Sequence, residues 1–554
     1  MSGSRHQPML RLVVVLLAWL AAVRVCVLTF QYYQHSSGGP VQRYHVETAS
    51  MLLVAFLFAG VLTSAVDPQP EDGALDQASY GVSSIWLSSS LVAIFVVMAL
   101  LLYAKGLGLG LFGDDFVILS NATAGRYSAW GGEGFRPMVF VIWSRLVQGF
   151  GARPWLLHSL NVGFHGMNAF LVTRLAARLG LSQRAAWTGG LLFLVFPGGV
   201  EAVECTCDLP DVLMTTAVLV FVLLCTAPQV DRTRFLGAGL ALAVALATKE
   251  TAVCAPMLAA IVASGQSPNR RRWALIGLAF CMAGGYALWR LTTVHLPVTY
   301  AVAPTRYVLK EMAVRPLATL IVPWRRAELV RAPSLGIVSA LALVLLITHQ
   351  ATGWSRHSSD FKRTLRLAAW VFAAAAPVYA FLFIGDDLQN SRYLYLPSCG
   401  WVLAVALLLD AELVRFRAAR ILIPLVGFLI GVWTYGVIVH LRSWEHAANV
   451  RDAILAGAAR TIKETDCETV TFDQLPWEVE GAWTFWNGFP EALQLELGAA
   501  VRIATVSSAH DTAGHYSPAT IRVVNRDLAW SGVQASSSCH RAWDGSGFED
   551  GRKQ

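Results

Sequence analysis

The chain has 554 residues, of which 55% are hydrophobic and only 14% are charged. A mean hydropathy of +0.52 excludes an ordinary soluble globular protein, whose composition is far more polar. The formal net charge of +7 does not indicate nucleic-acid binding, because the arginines lie in short loops between apolar segments and form no single basic face.

Apolar segments long enough to cross a bilayer, which takes about 20 residues, recur from the N-terminus to about residue 441. The first is interpreted as a membrane anchor, because it is too long for a signal peptide and lacks a clear small-residue cleavage site. The predicted spans are 10–30, 49–66, 84–105, 155–173, 186–203, 211–227, 235–249, 251–264, 273–291, 333–350, 367–385, 398–411 and 421–441. The predicted fold is therefore an all-α polytopic membrane protein with about thirteen transmembrane helices.

The loops predict the orientation. Alternate loops collect basic residues, which favours placing them in the cytoplasm. These residues are Arg174, Arg178, Arg184, Arg232, Arg234, Arg270 to Arg272, Arg356, Lys362, Arg363, Arg415, Arg417 and Arg420. The opposite, extracytoplasmic side then receives the acidic turn at 114, the loops 292–333 and 386–397, and everything after residue 440.

The composition changes after the last span. Residues 1–441 are predicted to form the transmembrane domain, and residues 442–554 a small extracytoplasmic domain of mixed α/β structure. The segment 444–462 has helical spacing of apolar residues, whereas 469–472, 501–506 and 521–524 are short β-branched runs. Cys467 and Cys539 are candidates for a disulfide if this segment lies outside the cytoplasm.

An acidic pair, Asp114-Asp115, directly follows the third predicted span. Adjacent carboxylates at a membrane boundary are costly unless they are solvated, paired or used. One of them, partly desolvated beside the other, is a candidate general base for an acceptor hydroxyl. The alternative is a solvated loop or a helix cap.

Polar residues also mark the next two segments. Arg136 opens an amphipathic stretch that is predicted to lie along the membrane interface. The following span carries His158, Asn161, His165 and Asn168 at spacings of three and four residues, which places them on one helical face. They predict either a polar cavity or interhelical hydrogen bonds.

A second acidic group follows Pro197 and comprises Glu201, Glu204, Asp208 and Asp211. Its spacing fits no defined cation-binding loop. Cys205 and Cys207 have no further ligand nearby in sequence, so no metal site is predicted. Lys249 and Glu250 are expected to pair with each other or with this acidic group.

Arg392 lies in the last extracytoplasmic loop, where it is a candidate for contact with a lipid phosphate. The alternative is a salt bridge to Asp386 or Asp387. Basic residues in the long preceding loop break the positive-inside trend and favour an anionic ligand at this face. They are Arg306, Lys310, Arg315, Arg325 and Arg326.

Six motifs in series resemble the GT-C superfamily of membrane glycosyltransferases, and especially the protein O-mannosyltransferase-like branch with tetratricopeptide-bearing members. The motifs are Asp114-Asp115, Arg136-Pro137, Pro154 with His158, Asn161, His165 and Asn168, Pro197 with Glu201-Ala202-Val203, Lys249-Glu250, and Arg392 to Pro397. The tail shows no 34-residue tetratricopeptide period.

The resemblance implies inverting transfer of a mannose-like sugar from a polyprenyl-phosphate carrier, with Asp114 or Asp115 as the base and Arg392 on the donor phosphate. The predicted substrate-binding residues are Arg136, His158, Asn161, His165, Glu201, Lys249, Glu250, Arg392, Tyr393 and Tyr395. The expected partners are the donor, membrane lipids and an acceptor of unknown identity (a protein, lipid or glycan), without nucleic acid. No cofactor is expected. A divalent cation is an alternative that no sequence feature supports.

Two other functions are compatible with many spans. A transporter is expected to show inverted repeats and paired broken helices, and neither is found in the sequence. A non-enzymatic membrane scaffold leaves the charged clusters of the extracytoplasmic face unexplained. The absence of a Gly-rich nucleotide-binding motif agrees with a donor activated by a lipid phosphate.

Overall fold

The computed structural model describes two parts of the chain. In the helical part it covers residues 80–124, 136–293, 306–331, 359–381, 384–416 and 419–464. In the C-terminal part it covers 467, 469–485, 488–498, 501–508, 516–526, 538–543 and 548–550. The predicted spans at 10–30, 49–66 and 333–350 lie outside the described residues.

The helical part begins with α1 at residue 80 and ends with α15. The helices are α1 (Tyr80–Leu102), α2 (Asp114–Ala124), α3 (Pro137–Phe150), α4 (Pro154–Arg178), α5 (Gln183–Leu194), α6 (Val200–Glu204), α7 (Leu209–Cys225), α8 (Arg232–Thr248), α9 (Ala255–Ala263), α10 (Arg270–Thr293), α11 (Arg306–Ile321), α12 (Arg326–Arg331), α13 (Ser359–Ala375), α14 (Tyr395–Phe416) and α15 (Ala419–Glu464). Nine of the other ten predicted spans fall mainly on these helices or on the turns that extend them, and the described residues 367–381 of the tenth fall on α13 and the 3₁₀ turn after it.

Within the described residues, four helical segments are long and apolar enough to cross a membrane. They are Thr206–Cys225, Arg270–Thr292, Ser391–Asp410 and Val426–Glu464. A fifth arises if α5 and the helical turn Pro197–Glu204, bent by 51° at the break before Pro197, count as one span. The chain thus has the all-α membrane architecture that was predicted, whereas the number of thirteen spans stays a prediction.

Local sequence signals explain where several helices begin. Proline occupies the first turn of α3 and α4, where its missing N–H leaves no hydrogen bond unmade. Ser182 and Asp231 cap α5 and α8 by accepting hydrogen bonds from backbone N–H groups three residues later. Gly166 lets α4 approach α1 closely, since a Cβ there would lie 2.6 Å from the Cα of Val96.

The C-terminal part contains a five-stranded sheet with the order β4-β5-β1-β6-β7. All neighbours in it are antiparallel except β1 and β6. The strands are β1 (Thr469–Pro476), β2 (Glu478–Val479), β3 (Ala482–Trp483), β4 (Val501–Ser508), β5 (Tyr516–Arg526), β6 (Ser538–Trp543) and β7 (Phe548–Asp550), with helix α16 (Phe489–Leu497) between β3 and β4. The side chains of Val470 and Phe472 are fully buried, and Phe472 packs edge-on against Phe489 of α16. Cys467 and Cys539 are joined as a disulfide.

Helix α15 connects the two parts. Its 46 residues extend about 69 Å at the usual rise of an α-helix. The predicted domain boundary at 441–442 falls inside this helix. The apolar composition ends there, but the helix continues for about six more turns and carries the C-terminal part.

Candidate active site

The acidic pair opens helix α2. Gly113, with a φ of +46°, makes the turn before it, and the two carboxylates occupy the first helical turn, where negative charge is favourable. Asp115 is fully buried, and its Oδ2 accepts a hydrogen bond of 2.9 Å from the N–H of Phe112. Asp114 is only partly buried. The two carboxylates therefore differ in access, which the sequence did not reveal.

Burial raises the pKa of Asp115 to about 7, and the neighbouring charge of Asp114 acts in the same direction. The hydrogen bond from Phe112 opposes the rise. An ionised Asp115 is thus disfavoured below neutral pH. The Thr206 hydroxyl and the Cys207 backbone also lie close enough to oppose the rise.

Asp115 also lies beside a pair of cysteines that is 90 positions away in sequence. A carboxylate oxygen of Asp115 and the sulfurs of Cys205 and Cys207 lie within 4.8 Å of one another. The two cysteines are joined as a disulfide. Because thiolates and not disulfides ligate metals, only the carboxylate remains as a ligand in this form. Folding thus brings the Asp115 carboxylate beside the two cysteines, a contact that the sequence did not show.

Two distant elements hold the acidic turn in place. Arg451 of α15 donates hydrogen bonds to the carbonyl oxygens of Leu111 (2.6 Å) and Leu109 (2.8 Å). The carbonyl oxygen of Thr484, next to β3, accepts a 2.9 Å hydrogen bond from the N–H of Gly113. Both residues follow the last predicted span, so the C-terminal part contributes directly to the geometry of the acidic pair.

A group of paired charges lies where α7, α8 and α14 meet. Arg392 binds Asp208 with a distance of 2.8 Å between Nη1 and Oδ1. The salt bridge of Arg392 is thus to Asp208 and not to Asp386 or Asp387. Lys249 contacts both oxygens of Asp211, at 2.5 and 2.6 Å. The Tyr393 ring lies 5.3 Å from Lys249 and 5.4 Å from Arg392. One aromatic ring thus lies close to two cations.

A second set of charges continues this group. Arg136 forms a two-point contact with Glu250, at 2.9 and 3.4 Å, and Arg290 lies 3.7 Å from the same carboxylate. Asp386 instead pairs with Arg326 at 2.9 Å and with Arg315. We define the cation cluster as Arg136, Lys249, Arg290 and Arg392. With the carboxylates of Asp208, Asp211 and Glu250 it has a net charge of +1.

Glu201 holds the loop that leads into α14. Its carboxylate accepts hydrogen bonds from the N–H groups of Asn390 (3.1 Å) and Arg392 (3.0 Å) and from the hydroxyl of Ser391 (3.4 Å). The indole N–H of Trp483 donates a further bond of 3.0 Å. Asn390 lies in the left-handed region with φ of 67°, so this loop depends on such anchoring. Glu201 therefore fixes the backbone from which Arg392 extends.

The polar stripe of α4 makes hydrogen bonds to neighbouring turns and helices. Its contacts are His158 to the carbonyl of Gly110 (2.7 Å), Asn161 to that of Cys205 (3.0 Å), His165 to that of Leu194 (3.0 Å) and to the Tyr395 hydroxyl (2.8 Å), and Asn168 to the carbonyl of Val212 (2.9 Å). Since a carbonyl only accepts, Nε2 of His165 carries the proton and Nδ1 accepts from Tyr395. These contacts match the interhelical alternative and fix the turns that precede the acidic pair and Asp208.

A further acidic residue lies at the same end of the bundle. His440 donates to Glu328 at 3.1 Å, and Arg325 pairs with the same carboxylate. Burial alone raises the pKa of Glu328, but the hydrogen bond and charge of His440, together with Arg325, hold it at about 2. This trio was missed in the sequence because His440 lies 112 positions after Glu328, although Arg325 is only three residues from it.

The comparisons with known proteins give one finding of similarity. No curated protein and no solved structure matches the chain significantly. The similarity is to a family model and covers residues 139–289. This region runs from α3 into α10 and includes the stripe of α4, Glu201, Asp208, Asp211, Lys249 and Glu250. It supports the resemblance to GT-C-type mannosyltransferases, though not to the tetratricopeptide-bearing branch. Over this region the chain matches the model of the dolichyl-phosphate-mannose-protein mannosyltransferase family.

Proposed function

We propose that the chain is a membrane glycosyltransferase that transfers mannose or a similar sugar from a polyprenyl-phosphate carrier to an acceptor hydroxyl at the extracytoplasmic face. The observation that carries this proposal is the cation cluster beside the acidic pair, at one end of a membrane-spanning bundle. The family match and its description, which names both a dolichyl-phosphate mannose donor and a protein acceptor, agree with it.

The donor phosphate is assigned to the cation cluster. Each cation is now paired with a carboxylate, and an arriving phosphate takes over part of that pairing through charge-assisted hydrogen bonds. Arg392 is the principal contact, because its planar guanidinium suits a phosphate and Glu201 fixes its backbone. Arg136 and Lys249 complete the site beside Tyr393.

The base is assigned to Asp114. A base must come within hydrogen-bond reach of the proton it removes, and the partly exposed carboxylate of Asp114 meets this need better than that of Asp115. In the reaction the acceptor oxygen bonds to the anomeric carbon of the sugar and its proton goes to Asp114. The bond from that carbon to the phosphate oxygen breaks, and its electron pair leaves with the polyprenyl phosphate. Asp115 acts as a positioning residue through its bond to Phe112.

The C-terminal part, residues 442–554, is proposed to be a domain that covers this site and helps to place the acceptor. Its support is the contact of Trp483 with Glu201 and of Thr484 with the turn before Asp114. The Cys467–Cys539 disulfide agrees with a location outside the cytoplasm.

The test is sugar transfer by the purified full-length protein in lipid nanodiscs. Labelled mannose is supplied either on a polyprenyl phosphate or on a nucleotide, with serine- and threonine-containing peptides and water as acceptors. We expect label to leave only the polyprenyl carrier, with release of polyprenyl phosphate. Consumption of the nucleotide sugar alone, or of neither donor by folded protein, contradicts the proposal.

A further inference from the structure

A large cavity opens at the end of the bundle opposite the candidate active site. Its volume is about 930 Å³, and it lies between the last residues of α4, α7 and α9 and the first turns of α10 and α13. Along α4 it begins at Arg178, 20 residues after His158, which corresponds to about 30 Å of helix. The cavity and the active site therefore lie at the two membrane faces of the same helices.

The wall of this cavity is strongly basic. Among the residues that the structure describes, five cationic side chains line it and no carboxylate does. They are Arg178, Arg272, Lys362, Arg363 and Arg366, which we call the basic cavity. The nearby Asp360 pairs with Arg363 at 2.8 Å, while no ion pair engages Lys362, Arg366 or Arg272 within the described part of the chain. Similar charges gathered around one cavity favour an anion between them.

A buried arginine and a half-buried glutamine show that the site is built into the fold. Arg272 is 2% exposed and donates to the carbonyl oxygens of Ala227 (3.1 Å) and Ser267 (3.0 Å), while its Nε has no partner among the described residues. Gln266 donates to the carbonyl of Arg178 at 3.2 Å. An arginine is rarely buried in this way without a further acceptor.

Helix ends explain only part of this charge. Cations are favourable at helix C-termini, which accounts for Arg178 and Arg272 beside the ends of α4 and α7. Lys362, Arg363 and Arg366, however, belong to the first two turns of α13, where the helix dipole disfavours positive charge. Burial and the charge of Arg363 lower the pKa of Arg366. The positive-inside trend accounts for basic residues in this loop, but it does not account for three of them facing one cavity.

The opening of the cavity adjoins surface suited to lipid. Leu365, which lines it between Lys362 and Arg366, is 60% exposed. Trp273 is 43% exposed near the start of α10, as expected for an aromatic side chain at the level of lipid headgroups. The spanning segment of α10 is only 22% buried, so this helix presents most of its surface outward.

We propose that the basic cavity binds the phosphate of an anionic lipid headgroup in the leaflet at this end of the bundle. Arg272 and Gln266 form its floor, and Lys362 and Arg366 hold the phosphate at the opening. The acyl chains lie along Leu365 and the outer surface of α10. Basic cavities between transmembrane helices are known to select multiply charged headgroups, so cardiolipin is the preferred probe.

The proposal is tested by binding to the purified full-length protein in neutral-lipid nanodiscs, with cardiolipin, phosphatidylcholine and inorganic pyrophosphate as probes. We expect cardiolipin to bind and phosphatidylcholine not to bind. The double variant Lys362→Gln/Arg366→Gln should bind cardiolipin about thirtyfold more weakly, which corresponds to about 2 kcal/mol. Lys362→Arg/Arg366→Lys keeps both charges and should keep most of the affinity. This result would show that the Gln variant binds weakly because it lost charge and not because its shape changed.

The matched control is Arg326→Gln/Arg331→Gln, which removes two exposed cations of α12 at the other end of the bundle and should leave cardiolipin binding unchanged. Its thermal unfolding and that of the cavity variant are compared, so that a folding defect is recognised. Pyrophosphate that binds while cardiolipin does not overturns the lipid source. Equal loss in the control, or full binding by a folded cavity variant, overturns the site.

Discussion

The two ends of the helical bundle differ in how their charged side chains are paired. At the candidate active site every member of the cation cluster contacts a carboxylate, and the group as a whole is nearly neutral. At the basic cavity five cationic side chains gather, and among the described residues the lining contains no carboxylate. Charges paired with carboxylates are held in position and can exchange partners when a substrate arrives, whereas a cavity lined only by cations retains a constant attraction for anions. The first arrangement suits turnover and the second suits lasting occupancy.

The largest expected effect separates the two carboxylates of the acidic pair. Asp114→Asn removes the proposed base and should lower the rate of transfer about 10³-fold, the middle of the range for general-base catalysis. Asp115→Asn keeps an acceptor for the Phe112 N–H and should lower it less. The rates are measured at saturating donor. A greater loss in Asp115→Asn would reassign the base.

The pairing of Lys249 with Asp211 is tested through stability. Lys249→Gln leaves a buried carboxylate uncompensated and should cost about 3–5 kcal/mol. Adding Asp211→Asn removes that charge, so thermal unfolding should return towards the parent while transfer stays low. Recovery of transfer in the double variant would mean that Lys249 serves only to neutralise Asp211.

The buried position of Asp115 predicts a dependence of stability on pH. Its pKa is about 7 in the folded protein against an ordinary value of 3.8, so the folded state retains the proton between these values. Stability therefore falls as pH rises from 4 to 7, by at most about 4 kcal/mol. Asp115→Asn lacks this loss, and its melting temperature relative to the parent should rise over that interval. If the melting temperatures of the parent and of Asp115→Asn change in parallel with pH, the raised pKa of a buried Asp115 carboxylate is refuted.

The smallest effect concerns the contact between the C-terminal part and the active site. Trp483→Phe removes one hydrogen bond to the Glu201 carboxylate, worth about 2 kcal/mol for a charged acceptor. We expect a higher KM for the donor with kcat little changed, because the loop that carries Arg392 loses one anchor. Unchanged KM would show that the other three bonds to Glu201 are sufficient.

The sequence predicted the helices well, since apolar length and helical spacing depend on local composition. Nine of the thirteen predicted spans, and the described part of a tenth, lie mainly on helices, and the stripe of α4 is buried as its spacing indicated. The pairings of charges were not predictable in this way. Arg392 meets Asp208 across 184 positions and Glu201 meets Trp483 across 282, and only the packed bundle brings them together.

The boundary after residue 441 shows a second limit. Composition shows where the apolar stretch of α15 ends, but it does not show where the helix ends. Arg451, ten residues beyond that boundary, binds the loop before Asp114 across 340 and 342 positions. A residue assigned to the tail thus shapes the proposed active site.

The most direct test of the cation cluster is binding of polyprenyl phosphate, without its sugar, to Arg392→Gln and to Arg326→Gln. Both variants remove one guanidinium from the same end of the bundle, but only Arg392 belongs to the cluster. We predict that Arg392→Gln binds about 10²-fold more weakly than the parent, as for loss of a buried charged contact, and that Arg326→Gln binds normally. Equal binding by both folded variants would contradict the assignment of this cluster to the donor phosphate.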